Sequence, residues 1–183
     1  MGGKLDSDLS ALRANLIARL GSLSKMPVLN GAGLYIFSLR SGGTLPGVDL
    51  GPERIIYAGM TEKSLSVRNH YLHAHSGGST FRRSLGALLV DELKLAPVRR
   101  DSNPKNANKY RFTDGGEKAL SDWMEANLLG AQAEINTDIV AREAELISLL
   151  QPPLNLNKWI NPQKTFISGK RRSCADIVAA SFR

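Results

Sequence analysis

A single cysteine, Cys174, stands in a chain of 183 residues. One thiol forms no internal disulfide and supplies no zinc cluster, so any metal must be held by oxygen ligands or by the three histidines. No apolar run reaches the roughly 18 residues that a bilayer span requires. The opening MGGKLDSDLS has neither the apolar centre of a signal peptide nor the Arg-rich, acid-poor character of a transit peptide. The expectation is a soluble, intracellular protein, cytoplasmic and without a membrane partner. Internal repeats and low-complexity segments are absent as well.

What the chain does have is 42% apolar content and a length slightly above the usual single-domain size, which point to one domain with appendages. Its formal charge of +7 favours polyanionic partners. The charge is unevenly spread: from residue 158 onward, Lys158, Lys164, Lys170, Arg171, Arg172 and Arg183 stand against Asp176 alone. This basic C-terminal tail reads either as a solubilising end or as a phosphate contact through Lys170, Arg171 and Arg172.

Leu9, Leu12, Leu16, Ile17 and Leu20 recur at helical spacing after a capping cluster at Asp6-Ser7-Asp8 and before Gly21, which predicts an amphipathic helix over 5–20. That helix covers the domain or pairs two copies in a homodimer. GLYIFSL (33–39) and RIIYA (54–58) are β-branched and aromatic runs separated by a Gly- and Pro-dense stretch, a hairpin with a long loop. Helices are expected over 64–75 and from a Ser79-Thr80 cap to about residue 95, then a polar loop and a strand at 110–113. A helix over 114–129, a strand over 131–136 and a helix capped by Thr137 or Asp138 and stopped by Pro152 follow. The mixed order implies a small sheet flanked by helices, α+β or α/β.

Tyr35 lies in Gly33-Leu34-Tyr35 on the first strand and Tyr57 in Tyr57-Ala58-Gly59 on the second, each near a glycine that admits close backbone approach. Arg68 follows eleven residues after Tyr57, and Glu143 precedes Asn155 by twelve in EAELISLLQPPLN. This ordered set resembles the GIY-YIG nuclease family over roughly residues 31–157. The linker between the tyrosines is longer than the family's tight hairpin, and Ala58 stands where Ile or Val is usual. The family's His or Tyr four residues after its Arg is here Leu72. Tyr71, His73 and His75 crowd nearby; on a helix Tyr71 and His75 share the Arg68 face, while His73 lies about 140° away. His70, His73 and His75 offer no closed zinc site, for want of a fourth ligand.

The resemblance implies an α+β domain with a small central antiparallel or mixed sheet, divided here into an N-terminal helix and lead-in (1–30), the nuclease-like domain (31–157) and the basic tail (158–183). It implies a metal-dependent endonuclease acting on DNA, with alternatives in an inactive nucleic-acid-binding module or an RNA-directed nuclease. Phosphodiester hydrolysis needs an activated water, charge neutralisation on the phosphoryl oxygens and help for the leaving oxygen. In the family's scheme Glu143 ligates Mg²⁺ or Mn²⁺, Arg68 grips the scissile phosphate, Tyr35 is the general base and Tyr57 orients water or phosphate. Tyr71, His73 or His75 joins the site, and Asn155 ties its segment back to the sheet. A base role for Tyr35 demands nearby positive charge, since a free phenol titrates near 10. Glu145, turned about 200° from Glu143 on a helix, cannot face the same metal. By their charge alone, Arg82 and Arg83, with Lys105, Lys109 and Arg111, either extend a phosphate-binding track or stand as solvated helix and loop charges.

Overall fold

Strand β2 (Gly33–Leu39) is buried along its whole length, and its run of apolar residues, interrupted by Ser38 alone, follows from that position: β6 (Leu128–Glu134) flanks it on one side and β3 (Ile55–Thr61) on the other, both antiparallel. A two-residue strand, β1 (Gly21–Ser22), completes the order β1-β6-β2-β3. The computed structural model describes residues 2–68, 75–103, 106 and 109–180. Across the β2–β3 pair, Tyr35 opposes Gly59 and Phe37 opposes Tyr57, so both tyrosines emerge on one face. A register shift after Phe37 absorbs one extra residue.

Helices cover both faces. On the side of Leu34, Ile36, Ala58 and Ala131 lie α1 (Gly2–Ala18), through Leu16, and α4 (Ile139–Leu150), through Leu146 and Ile147. The apolar stripe of α1 is therefore used inside the chain, packed on its own sheet. The other face, with Tyr35, Phe37 and Ile56, carries α2 (Thr80–Leu88), α3 (Asp114–Asn127) and α5 (Lys164–Ala180), which pack through Phe81, Leu85, Leu120, Met124, Ile167 and Cys174. A short hairpin of β4 (Pro97–Arg99) and β5 (Tyr110–Phe112) lies against α5. The fold is α+β, as the sequence predicts.

Local chemistry explains most boundaries. The Ser79 hydroxyl accepts from the Arg82 amide and starts α2; that of Thr113 accepts from the Gly116 amide and starts α3. Gln151, in the left-handed region at φ 47°, ends α4 just before Pro152. Where the structure differs from expectation, α2 stops at Leu88 rather than near 95, and α5 occupies a segment for which no element was expected. Half of the helix predicted over 64–75 falls outside the described residues; 65–68 form a turn.

Candidate active site at the β3 edge

Gly59 makes the tyrosine pair possible. A Cβ there would stand 2.5 Å from the Tyr35 hydroxyl, so the ring lies across the glycine and its phenol reaches the end of the sheet. The Tyr35 and Tyr57 rings stack at 6.3 Å between centroids. Tyr35 is nearly sealed, at 4% exposure, whereas Tyr57 is half-buried and opens into a cavity of about 380 Å³. Arg68 is exposed; its side chain donates a hydrogen bond to Tyr35, and Tyr35 in turn hydrogen-bonds Tyr57.

Burial decides the state of both phenols. It pushes Tyr35 well above the ordinary phenol value and raises Tyr57 too, the negative charge of Glu143 adding to each; Arg68 opposes the shift in both, and Arg171 in Tyr57. The neighbouring positive charge expected to create a phenolate is present but is outweighed. Both hydroxyls are protonated at neutral pH.

Glu143 projects from α4 into the same cavity, where Asn155, Asn157, Lys158, Lys164, Ser168 and Arg171 complete the wall. Its partner is Lys158, whose ammonium is ion-paired to the carboxylate. Lys158 adopts a left-handed backbone, φ 73°, at the tip of a loop fixed from behind: the Trp159 indole donates to the Asn155 carbonyl at 2.8 Å and the Asn161 amide to the Pro153 carbonyl at 2.7 Å. Glu145 is exposed and lines no part of the cavity. A magnesium ion asks for one or two carboxylates and keeps several waters. One half-buried carboxylate on an open polar wall fits that requirement, provided the Lys158 ammonium yields its place.

Asn155 meets backbone rather than the cavity's reacting space. Its side-chain oxygen accepts from the Ala58 amide at 2.9 Å and its NH₂ donates to the Ala58 carbonyl at 2.8 Å, while the Leu154 amide donates to Ile56. These bonds stitch the outer edge of β3. They also hold Tyr57, between the stitched residues, at the cavity mouth.

The remaining sequence candidates separate. His73 lies outside the described residues, as do Tyr71 and Lys105. His75 is exposed beside Gly77 and Arg100 and does not line the cavity. Arg82 leaves the phosphate track: it is 1% exposed, with its guanidinium donating to the Glu117 carboxylate at 2.9 Å and the Ser121 hydroxyl at 3.0 Å. Glu117 also accepts from the Ser76 and Phe112 amides, so Arg82 anchors α2 to α3. Arg83, one residue on, is half-buried and faces Arg171 and Arg100. Lys170 pairs at 3.9 Å with exposed Asp91, and Arg172 is exposed on α5. Sequence reasoning missed Lys158 and Lys164 as parts of this site. Nothing marks them among the six cations of the tail; the loop stitched by Asn155 and Asn161 turns Lys158 inward, and Lys164 opens α5 at the cavity wall.

The phenol of Tyr57, the guanidinium of Arg171 and the carboxylate of Glu143 line an open basic cavity, with Tyr35 and Arg68 hydrogen-bonded in series to Tyr57, an arrangement suited to phosphate esters. Residues 51–171, more than half of the chain, match the family described as the GIY-YIG catalytic domain, and the chain belongs to that family. Nuclease-type activity comes with it. No curated protein and no solved structure matches the chain. Among the described residues no helix is long and apolar enough to cross a membrane.

Proposed function

We propose that the protein is a divalent-metal-dependent DNA endonuclease whose reacting centre is the cavity between Tyr57, Glu143 and Arg171. The observation that carries this reading is the convergence of Tyr35, Tyr57, Arg68 and Glu143, from four separate segments, on one open end of the sheet. Glu143 would hold the cation, Mg²⁺ or Mn²⁺, which when bound supplies Lewis-acid charge neutralisation at the scissile phosphate. Arg68, bonded to Tyr35, and Arg171, in the cavity wall, are permanently charged and grip the phosphoryl oxygens. Tyr57 reaches the solvent-filled space and orients the attacking water. Tyr35, behind it, fixes the Tyr57 hydroxyl and takes its own orientation from Arg68. Either phenol serves as base only as far as Arg68 and Arg171 offset its burial at the moment of proton transfer. Lys158, displaced from Glu143, is placed to contact a substrate phosphate. Asn155 acts on the reaction through the position of Tyr57.

The experiment compares Glu143→Gln with Glu145→Gln on plasmid, single-stranded DNA and RNA, with and without Mg²⁺. Glutamine keeps the shape and removes the charge. Glu143→Gln should lower cleavage by orders of magnitude, and Glu145→Gln should change it little. A reversed pattern rejects the site; cleavage of RNA alone rejects DNA as substrate.

A further inference from the structure

Helix α5 presents Ser168, Arg171, Arg172 and Ala175 at intervals of three, four and seven residues, one face of the helix. That face closes a second cavity of about 480 Å³ against α2 and the β4–β5 hairpin, lined also by Arg83, Arg100, Lys109 and Tyr110. Four arginines and a lysine stand in its wall without one carboxylate. Arg100 alone of the five has an acidic partner among the described residues, Asp101, which also binds Asn106 on the far side of its own turn. The walls are fixed rather than draped. The Tyr110 hydroxyl donates to the Arg83 carbonyl at 3.1 Å, the Arg100 amide donates to the Lys109 carbonyl at 2.9 Å, and Cys174 is buried beneath. Burial first, and then the repulsion of Arg171 and Arg100, depress the Arg83 guanidinium.

Ser168 and Arg171 belong to both cavities. The second therefore continues the first, and α5 is their common floor. From Lys164 to Ala175 the helix advances about 16 Å, the axial rise of about five base pairs of duplex DNA.

Resting on the nuclease reading above, we infer that this second cavity is a phosphate subsite for the nucleic-acid backbone. It holds a phosphate that is not cut, a few nucleotides from the scissile one, so that the substrate strand runs along α5. Arginine suits the task, since its planar fork meets two phosphate oxygens at once. Holding a distant phosphate also fixes the register of the strand over Glu143 without contributing a reacting group.

The test is the salt dependence of binding of a fluorescein-labelled DNA duplex, measured in EDTA for the full chain and for Arg100→Ala/Arg172→Ala, Arg172→Lys and Glu143→Gln. Removing one phosphate contact lowers the slope of log affinity against log salt by about 0.9. The double variant should show that loss with its melting temperature kept. Arg172→Lys should retain the slope, since lysine keeps the charge, and Glu143→Gln should not reduce it. Equal slopes for the wild type and the double variant overturn the subsite even where Glu143→Gln abolishes cleavage. A wild-type chain that binds no duplex overturns it as well. A slope loss in the double variant together with full cleavage by Glu143→Gln upholds the subsite while rejecting the assigned centre.

Discussion

Two adjacent arginines, Arg82 and Arg83, show what decides a side chain's role. In the sequence they are equivalent members of STFRRSL; in the fold a turn of 100° sends Arg82 under α2 to Glu117 and leaves Arg83 facing the basic cavity. Removing one partner of a buried ion pair leaves an uncompensated charge, so Arg82→Ala should destabilise the protein by about 3–5 kcal/mol, read as a fall in the denaturant midpoint. Its effect on the salt slope of DNA binding should be nil in the fraction that remains folded. Glu143 differs in legibility from both. Its distance to Asn155 and the Pro-Pro stop are local, and α4 preserves them, so it was readable from the chain. Lys158, its ion-pair partner, was not, because the loop that turns it inward is set by contacts of Trp159 and Asn161 with carbonyls several residues away.

At the level of elements, the strands around Tyr35 and Tyr57 were legible because an apolar run bounded by glycine and proline has few other uses. The short β1 and β4 carry no such run: each pairs only because a neighbouring strand offers an edge. Helix α5 was hidden by its charge. Its buried residues, Ile167, Cys174 and Val178, are sparse, and the cations between them read as a solvated end. The tyrosine motif also gains a mechanical meaning. Gly59 is small because the Tyr35 ring crosses it, not because the strand bends. Gly59→Ala should push the phenol off its contact with Tyr57, lowering kcat by tenfold or more with little change in KM, while Gly51→Ala, where a Cβ meets nothing within 4 Å, should be silent. Steady-state kinetics of the two variants decides between this packing role and a purely conformational one.

At the scale of the whole molecule, three tyrosines among the described residues, Tyr35, Tyr57 and Tyr110, have hydroxyls that burial raises above the ordinary phenol range. Their folded-state values exceed the unfolded value near 10. The stabilisation from keeping them neutral is thus fully present below about pH 10 and is lost as the pH climbs toward the folded values. Unfolding monitored by far-UV circular dichroism should begin above about pH 10 and coincide with phenolate absorbance. Phenolate appearing while the helical signal persists would show the rings to be more open than they are here.

The seam between Asn155 and Ala58 has a consequence for how copies of the chain meet. β3 is the last strand of its sheet, and a bare last strand offers its amides and carbonyls to any extended segment of another chain. Asn155 and Leu154 occupy three of those groups, the Ala58 amide and carbonyl and the Ile56 carbonyl, with the chain's own amide and backbone. The three bonds that hold a tyrosine at the cavity thereby leave fewer free groups on the sheet edge at which a second chain could pair.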